Sequence, residues 1–184
     1  LLEALAIKNG LNPEGGTRNY NFSTYDSYSN LHKHMRLWRS RKPDWMYFLR
    51  AESFYNVATK EMEYSGVFSE RYHDQSHGQS FFSVLMKQTN KNGLYLLDEP
   101  EAALSCQNQL ALLYLIQSCV KQNCQFIIAT HSPILLGLPG AQILSFDEDK
   151  VEEVDYKFTS SYQTMKLFFD RYDYFVEDIK ENEI

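Results

Sequence analysis

The chain is poor in cysteine and in long apolar runs, and it carries no excess of positive charge. Its three cysteines include no CxxC pair, which excludes a disulfide framework, argues against a thiolate zinc site and fits a cytoplasmic location. No run reaches 18 apolar residues, which excludes a membrane-spanning helix. The formal net charge of −6 argues against binding nucleic acid through overall positive charge, although a local basic face remains compatible with it.

What is present is the composition of a folded globular protein. Hydrophobic residues make up 43% and charged residues 23% of the 184-residue chain. That length suffices for one hydrophobic core, so we expect a single domain over residues 1–184. The chain begins at Leu1, without Met and already in a helical pattern, and we therefore expect it to be a piece of a longer protein.

Short apolar runs separated by helical patterns predict an α/β fold. Runs that are apolar on both faces indicate strands of a mostly parallel sheet with helices against it. The predicted strands are 46–50, 94–98, 125–130 and 142–146, with an edge strand over 151–156. The predicted helices are 1–8, stopped by Asn9-Gly10, then 81–89 and 104–122, and an acidic tail over 160–184.

Two adjacent carboxylates follow the apolar run 94–97, at the strand end where ligand sites of α/β proteins lie. Asp98 can hold Mg²⁺ through water, as an acid does in phosphate-binding ATPases. Glu99 points differently because strand side chains alternate, and it could act as general base on an attacking water. Pro100 then ends the strand. The competing interpretation is a solvated acid pair before a helix.

A polar loop precedes the helical pattern at 80–89. It consists of Ser76, His77, Gly78 and Gln79, and its backbone N–H groups together with the helix N-terminus can face an anion such as a γ-phosphate. The competing interpretation is a simple helix cap with glycine.

A histidine ends the predicted strand 125–130. His131, within the sequence Thr-His-Ser-Pro, can donate a hydrogen bond to a phosphate oxygen. The competing interpretation is a histidine with a purely structural role.

In combination these motifs resemble the ATP-binding cassette (ABC) ATPase superfamily. The matching segments are 76–79 as signature motif, 94–99 as Walker B, 100–105 as D-loop, including Ala103, Leu104 and Ser105, and His131 as switch histidine. The spacing agrees as well, with 19 residues from Gln79 to Asp98 and 33 from Asp98 to His131. The resemblance is greatest to small soluble bacterial AAA family ATPases related to the RecF and SMC group.

The resemblance implies a P-loop NTPase fold of the ABC type, with a small β/helical subdomain and a helical signature part over 53–90. It implies ATP and Mg²⁺ as cofactors and a homodimer that clasps ATP between two copies. The signature motif of one copy then meets the nucleotide held by Asp98 of the other. DNA repair, genome maintenance or anti-phage defence, with an effector protein as a partner, are the roles expected by analogy.

The chain departs from this family in three places. It contains no GxxxxGK[ST] phosphate loop, which we expect upstream of Leu1; the alternative is a degenerate protein that never binds ATP. Glu52 stands near the expected place of the Q-loop glutamine, where it could approach the metal. Ser105 occupies a position that usually carries Asp, which puts cross-talk between the paired sites in question.

A basic stretch with a tryptophan precedes Pro43. Its basic residues are Lys33, Arg36, Arg39, Arg41 and Lys42. A DNA or RNA contact with Trp38 stacked on a base is one interpretation, and a solvated helix face is the other.

Three weaker alternatives concern other functions. His73, Asp74 and His77 form an HDxxH cluster that could bind a metal, although a solvated loop is the better interpretation. The whole chain could be an ABC-like interaction module without nucleotide chemistry. It could also be the nucleotide-binding subunit of a transporter.

Overall fold

The computed structural model describes residues 1–17, 29–51, 92–146 and 150–181. These residues form two compact units, 1–130 and 131–184, each of which is described by itself. The predicted signature loop at 76–79, the helical part over 53–90 and the HDxxH cluster lie outside the described residues.

The first unit contains a three-stranded parallel sheet in the order β1-β2-β3. Its strands are β1 (Trp45–Arg50), β2 (Gly93–Asp98) and β3 (Gln125–Ala129). In the register, Arg50 lies opposite Asp98, and Asp98 lies opposite Ala129. The three strands therefore end level at one edge, and each is within about one residue of its predicted bounds.

The central strand β2 forms the middle of the core because apolar residues occupy both of its faces. Its first five residues are buried, and Tyr95, Leu96 and Leu97 have no exposed surface. Helix α1 (Leu2–Lys8) packs on one face of the sheet, where Ala6 joins the apolar cluster that contains Leu96. The strand β3 is only half-buried, less than the predicted fully buried run.

Helix α1 ends where the sequence predicts. The side chain of Asn9 donates from Nδ2 to the carbonyl of Leu5 over 2.7 Å, and Gly10 adopts a φ of 74°. A positive φ is easily reached by glycine and not by most residues, so Gly10 turns the chain away from the helix axis.

The interpretation of residues 31–42 as a solvated helix face is wrong for most of that stretch. Only α2 (Leu31–His34) is helical, and Met35 already has extended backbone, with φ −91° and ψ 144°. Beyond it Met35 and Leu37 are half-buried, whereas Arg36 and Trp38 are exposed. This alternation has the period of extended chain, in agreement with the extended backbone of Met35.

Helix α3 (Cys106–Val120) begins two residues later than predicted. Leu104 is buried with an extended φ of −121°, and Ser105 accepts a hydrogen bond at Oγ from the backbone N–H of Asn108 over 3.3 Å. Ser105 is therefore the N-cap, and the helix starts after it. The helix buries Leu112 and Ile116.

The second unit differs from the sequence prediction at its strands. Its elements are α4 (Pro133–Leu136), β4 (Leu144–Ser145), β5 (Glu152–Glu153), α5 (Ser160–Asp170) and α6 (Tyr172–Glu181). The predicted buried strand over 142–146 is wrong, because β4 spans two residues, pairs antiparallel with β5 and leaves Leu144 half exposed. The predicted edge strand over 151–156 is shortened to β5, because β4 and β5 pair over only two residues each.

The described part of the acidic tail, residues 160–181, is helical and is divided at Arg171 into α5 and α6. Neither helix buries a residue, and Phe169 and Ile179 are about 70% exposed. None of the helices in the described ranges is both long and apolar enough to cross a membrane.

Candidate active site

The carboxyl edge of the parallel sheet presents Asp98, the last residue of β2. The backbone N–H of Ala51 donates to the Asp98 carbonyl over 3.2 Å, and the N–H of Glu99 donates to the Ala129 carbonyl over 2.9 Å. These bonds extend the ladder one step past the strand ends. The Asp98 side chain, 29% exposed, is thus held on rigid backbone while its carboxylate stays accessible.

Arg50 joins Asp98 to the first turn of α1. Its Nε lies 3.4 Å from Asp98 Oδ2, and its Nη1 donates to Glu3 Oε1 over 2.7 Å. The side chains are 21 to 32% exposed, so water screens these pairs only in part. The Arg50 guanidinium thus contacts two carboxylates, and it holds the start of α1 at the same edge as Asp98.

The role of Arg50 escaped the sequence prediction, which placed this residue only at the end of the predicted strand 46–50. A signal for it was present, because Arg50 ends β1 as Asp98 ends β2. Parallel strands in register bring such residues side by side. No sequence pattern pointed to Glu3, which lies in a helix far from both in the chain.

Glu99 adopts a left-handed conformation, with φ 48° and ψ 50°. For a residue with a side chain this region costs about 1 to 2 kcal/mol. Two backbone hydrogen bonds hold this conformation. The N–H of Glu99 donates to the carbonyl of Ala129, and the carbonyl of Glu99 accepts from the N–H of Ala102 over 3.1 Å. Pro100 behind it is fully buried, whereas Glu99 itself is exposed. The strained backbone therefore presents a carboxylate next to Asp98, and strain of this kind is frequent at functional sites.

The residues at this edge fit a Mg²⁺ ion that is shared with phosphate. Mg²⁺ in phosphate-binding enzymes is commonly held by one or two carboxylates, with water and phosphate oxygens completing its shell. Asp98 offers such a carboxylate on fixed backbone. In the described part of the chain no group of three His, Cys, Asp or Glu side chains could hold a metal by itself. Glu52, the second predicted ligand, lies outside the described residues.

The predicted D-loop forms the connection from β2 to α3. Ala103 ends a 3₁₀ turn, Pro100–Ala103, that starts directly after Glu99, and the next residue, Leu104, is buried in the core. The Leu104 carbonyl accepts a bond from Gln109 Nε2 over 3.1 Å. Ser105 serves as the N-cap of α3, a role that Asp fills equally well, so the departure from the family residue preserves the helix start.

His131 belongs to the second unit and is exposed. It directly precedes Ser132, whose Oγ accepts hydrogen bonds from the backbone N–H groups of Ile134 and Leu135, at 3.1 and 3.2 Å, and so caps α4. Within its unit His131 borders a shallow depression together with Ser160 and Phe168. Along the chain it stands two residues after the end of β3, and its role at the nucleotide stays a prediction.

The structure thus brings together two of the predicted site residues, Asp98 and Glu99, and adds Arg50 and Glu3 to them. The predicted nucleotide-binding residues at 76–79 fall outside the described ranges. Their roles also stay predictions.

Comparison with known proteins points in the same direction. Residues 75–136 match the family of the AAA ATPase domain, a span that contains the signature-like loop, both carboxylates and His131. A stretch of 93 residues is 29% identical to an uncharacterized ABC transporter ATP-binding protein of Haemophilus influenzae, covering 50% of this chain and 35% of that protein. No solved structure matches significantly. The two matches support an AAA/ABC-type ATPase domain, as the motifs predicted. The aligned stretch spans about a third of the length of the curated relative.

Proposed function

We propose that this chain is the head of an ABC-type ATPase that binds ATP at the carboxyl edge of β1, β2 and β3. The observation that carries the proposal is the placement of Asp98 and Glu99 at the end of the central buried strand. The first turn of α1 reaches the same edge through Glu3 and Arg50. The resemblance puts a phosphate loop directly before such a helix, and this edge is where that loop would then deliver the nucleotide.

In this proposal each side chain has one role. Asp98 holds Mg²⁺, which when bound neutralises charge on the phosphate oxygens. Glu99 accepts the proton of the attacking water. The resemblance assigns to His131 a hydrogen bond to an oxygen of the γ-phosphate, and this role stays a prediction. Phosphoryl transfer depends mostly on positioning and charge stabilisation, which a rigid strand end supplies.

The signature-like residues Ser76 to Gln79 complete the site from a second copy. In this proposal their N–H groups donate to the γ-phosphate bound to the facing copy. Closing the dimer excludes water and strengthens these contacts, and hydrolysis removes the link and opens the pair. We further propose a cytoplasmic protein in which this switch drives an effector in DNA repair, genome maintenance or anti-phage defence.

The conservative substitution Asp98→Asn tests the metal role. We expect Mg²⁺ to tighten the binding of a fluorescent ATP analogue to the unaltered protein, in the form that its gene encodes. In Asp98→Asn the ratio of Kd without and with Mg²⁺ should fall to about one, because a neutral amide is a weaker ligand for a hard cation. The matched control is Asp173→Asn, an exposed carboxylate on α6. An unchanged Mg²⁺ dependence in Asp98→Asn would remove this residue from the metal site.

Two other functions are each favoured by one observation. An interaction module without nucleotide chemistry agrees with the lack of GxxxxGK[ST] in these 184 residues, and it predicts that the protein as its gene encodes it does not bind ATP. The name of the relative from Haemophilus influenzae favours a transporter subunit. Co-purification of the complete protein with a membrane partner would support that function over the soluble switch.

A further inference from the structure

Trp38 is 96% exposed, more than any other large hydrophobic residue in the described ranges. A ring of this size in water contributes nothing to the core of the fold and is available to a ligand. Five basic residues surround it in the chain, all of them exposed. They are Lys33, Arg36, Arg39, Arg41 and Lys42, and the first acid in this part of the chain is Asp44. We call residues 33–42 the Trp38 segment.

Burial alternates from residue to residue along the first part of this segment. Met35 is extended, and the half-buried side chains of Met35 and Leu37 alternate with the exposed side chains of Arg36 and Trp38. Side chains two positions apart on extended chain lie on the same side. This pattern assigns Arg36 and Trp38 to one solvent-facing side and the less exposed Met35 and Leu37 to the other.

Two hydrogen bonds fix the segment to the amino edge of the sheet. Arg39 Nη2 donates to Asn9 Oδ1 at the end of α1 over 2.5 Å, and Arg41 Nη2 donates to Asn92 Oδ1 over 2.5 Å. Asn92 in turn donates from Nδ2 to Asp44 Oδ2 over 2.8 Å, next to the first residues of β1 and β2. The segment is thus held at the edge opposite Asp98 and Glu99, so a ligand there leaves the proposed ATP site open.

We infer that the Trp38 segment binds single-stranded nucleic acid, with a base stacked on the indole ring and phosphates paired with the flanking cations. Base stacking on an aromatic ring works for every base, and it requires bases that are free of a duplex stack. The strong local positive charge attracts phosphates despite the net charge of −6. An acidic peptide would engage the cations and leave the ring unused. The inference does not depend on the proposed ATPase function.

Binding of a labelled short oligothymidylate to the 184-residue chain, followed by fluorescence anisotropy at about 50 mM salt, tests the inference. We expect Trp38→Ala to weaken binding roughly ten-fold or more, because it removes the ring on which a base stacks. Trp38→Phe should retain part of the affinity, because its aromatic ring can still stack on a base. Tyr114→Ala is the matched control, since this tyrosine on α3 is 79% exposed and lies outside the segment. Absence of binding, or equal affinity of Trp38→Ala and the control, would overturn the inference.

The salt dependence separates the phosphate contacts from stacking. We expect Arg36→Gln to reduce the slope of log K against log salt by about 0.7, whereas Trp38→Ala leaves the slope unchanged. Lys157→Gln, an exposed cation of the second unit, should leave both slope and affinity unchanged. Polyglutamate that displaces the oligonucleotide at equal charge concentration would instead identify an acidic-peptide site. These readouts need no ATP, so failure of the ATPase proposal would not be confused with failure here.

Discussion

Glu99→Gln is expected to slow ATP hydrolysis by about 10²- to 10⁴-fold, the range that a positioned general base contributes. ATP binding should survive, because the substitution removes the proton acceptor and keeps the size and hydrogen-bonding shape of the side chain. The backbone at Glu99 is left-handed and held by two hydrogen bonds, so glutamine takes the same position. The measurement is single-turnover hydrolysis of ATP by the protein as its gene encodes it, alongside a separate ATP-binding titration.

The control for this experiment is Glu177→Gln, which removes an exposed carboxylate from α6 and should leave turnover unchanged. If the Glu99→Gln protein hydrolyses ATP within a few-fold of the unaltered rate, Glu99 is not the base. If both binding and hydrolysis disappear, the carboxylate acts on nucleotide affinity, which also contradicts the assigned role.

Leu96→Ala is expected to lower the free energy of unfolding by about 3 kcal/mol. Leu96 has no exposed surface, lies in the middle strand of the sheet and belongs to the apolar cluster with Ala6 and Phe48. Removing most of its side chain reduces the buried apolar area and leaves a cavity. Because β2 is hydrogen-bonded to a strand on each side, the backbone cannot shift far enough to fill that cavity. Urea denaturation followed by circular dichroism gives the value.

Leu110→Ala provides the comparison for that measurement, because Leu110 lies on α3 and is 49% exposed. We expect it to cost less than about 1 kcal/mol, since little apolar surface leaves the core. Equal losses from the two substitutions would show that β2 is not the centre of the folding core.

The three parallel strands could be predicted from the sequence because their side chains are apolar on both faces. An apolar run such as Leu94 to Leu97, followed by a helix pattern, is compatible with few structures other than a buried strand. The pair Asp98-Glu99 could be predicted for the same reason, since the run defines where the strand ends. The run at 142–146 contains similar residue types, but the strand there pairs over only two residues and Leu144 is half exposed. Local pattern does not reveal whether a strand finds a neighbour in the main sheet.

The remainder of the site depended on contacts between distant parts of the chain. Arg50 reaches Glu3 across 47 positions, and a periodicity argument contains no information on such a pair. The left-handed backbone of Glu99 arises from the ladder bond to Ala129 and the buried Pro100 after it, which only the folded sheet provides. Trp38 shows the same limitation, because its exposure depends on Met35 and Leu37 being the residues that turn inward.

The central claim is that two copies each supply half of an ATP site, and mixing two inactive variants tests it most directly. Ser76→Arg damages the signature side and Glu99→Gln the opposite side, so each variant alone should lack turnover. Half of randomly mixed dimers carry both variants, and each of these has one intact site, so we expect about a quarter of the unaltered ATPase rate. A mixture as inactive as its two components would contradict the shared site.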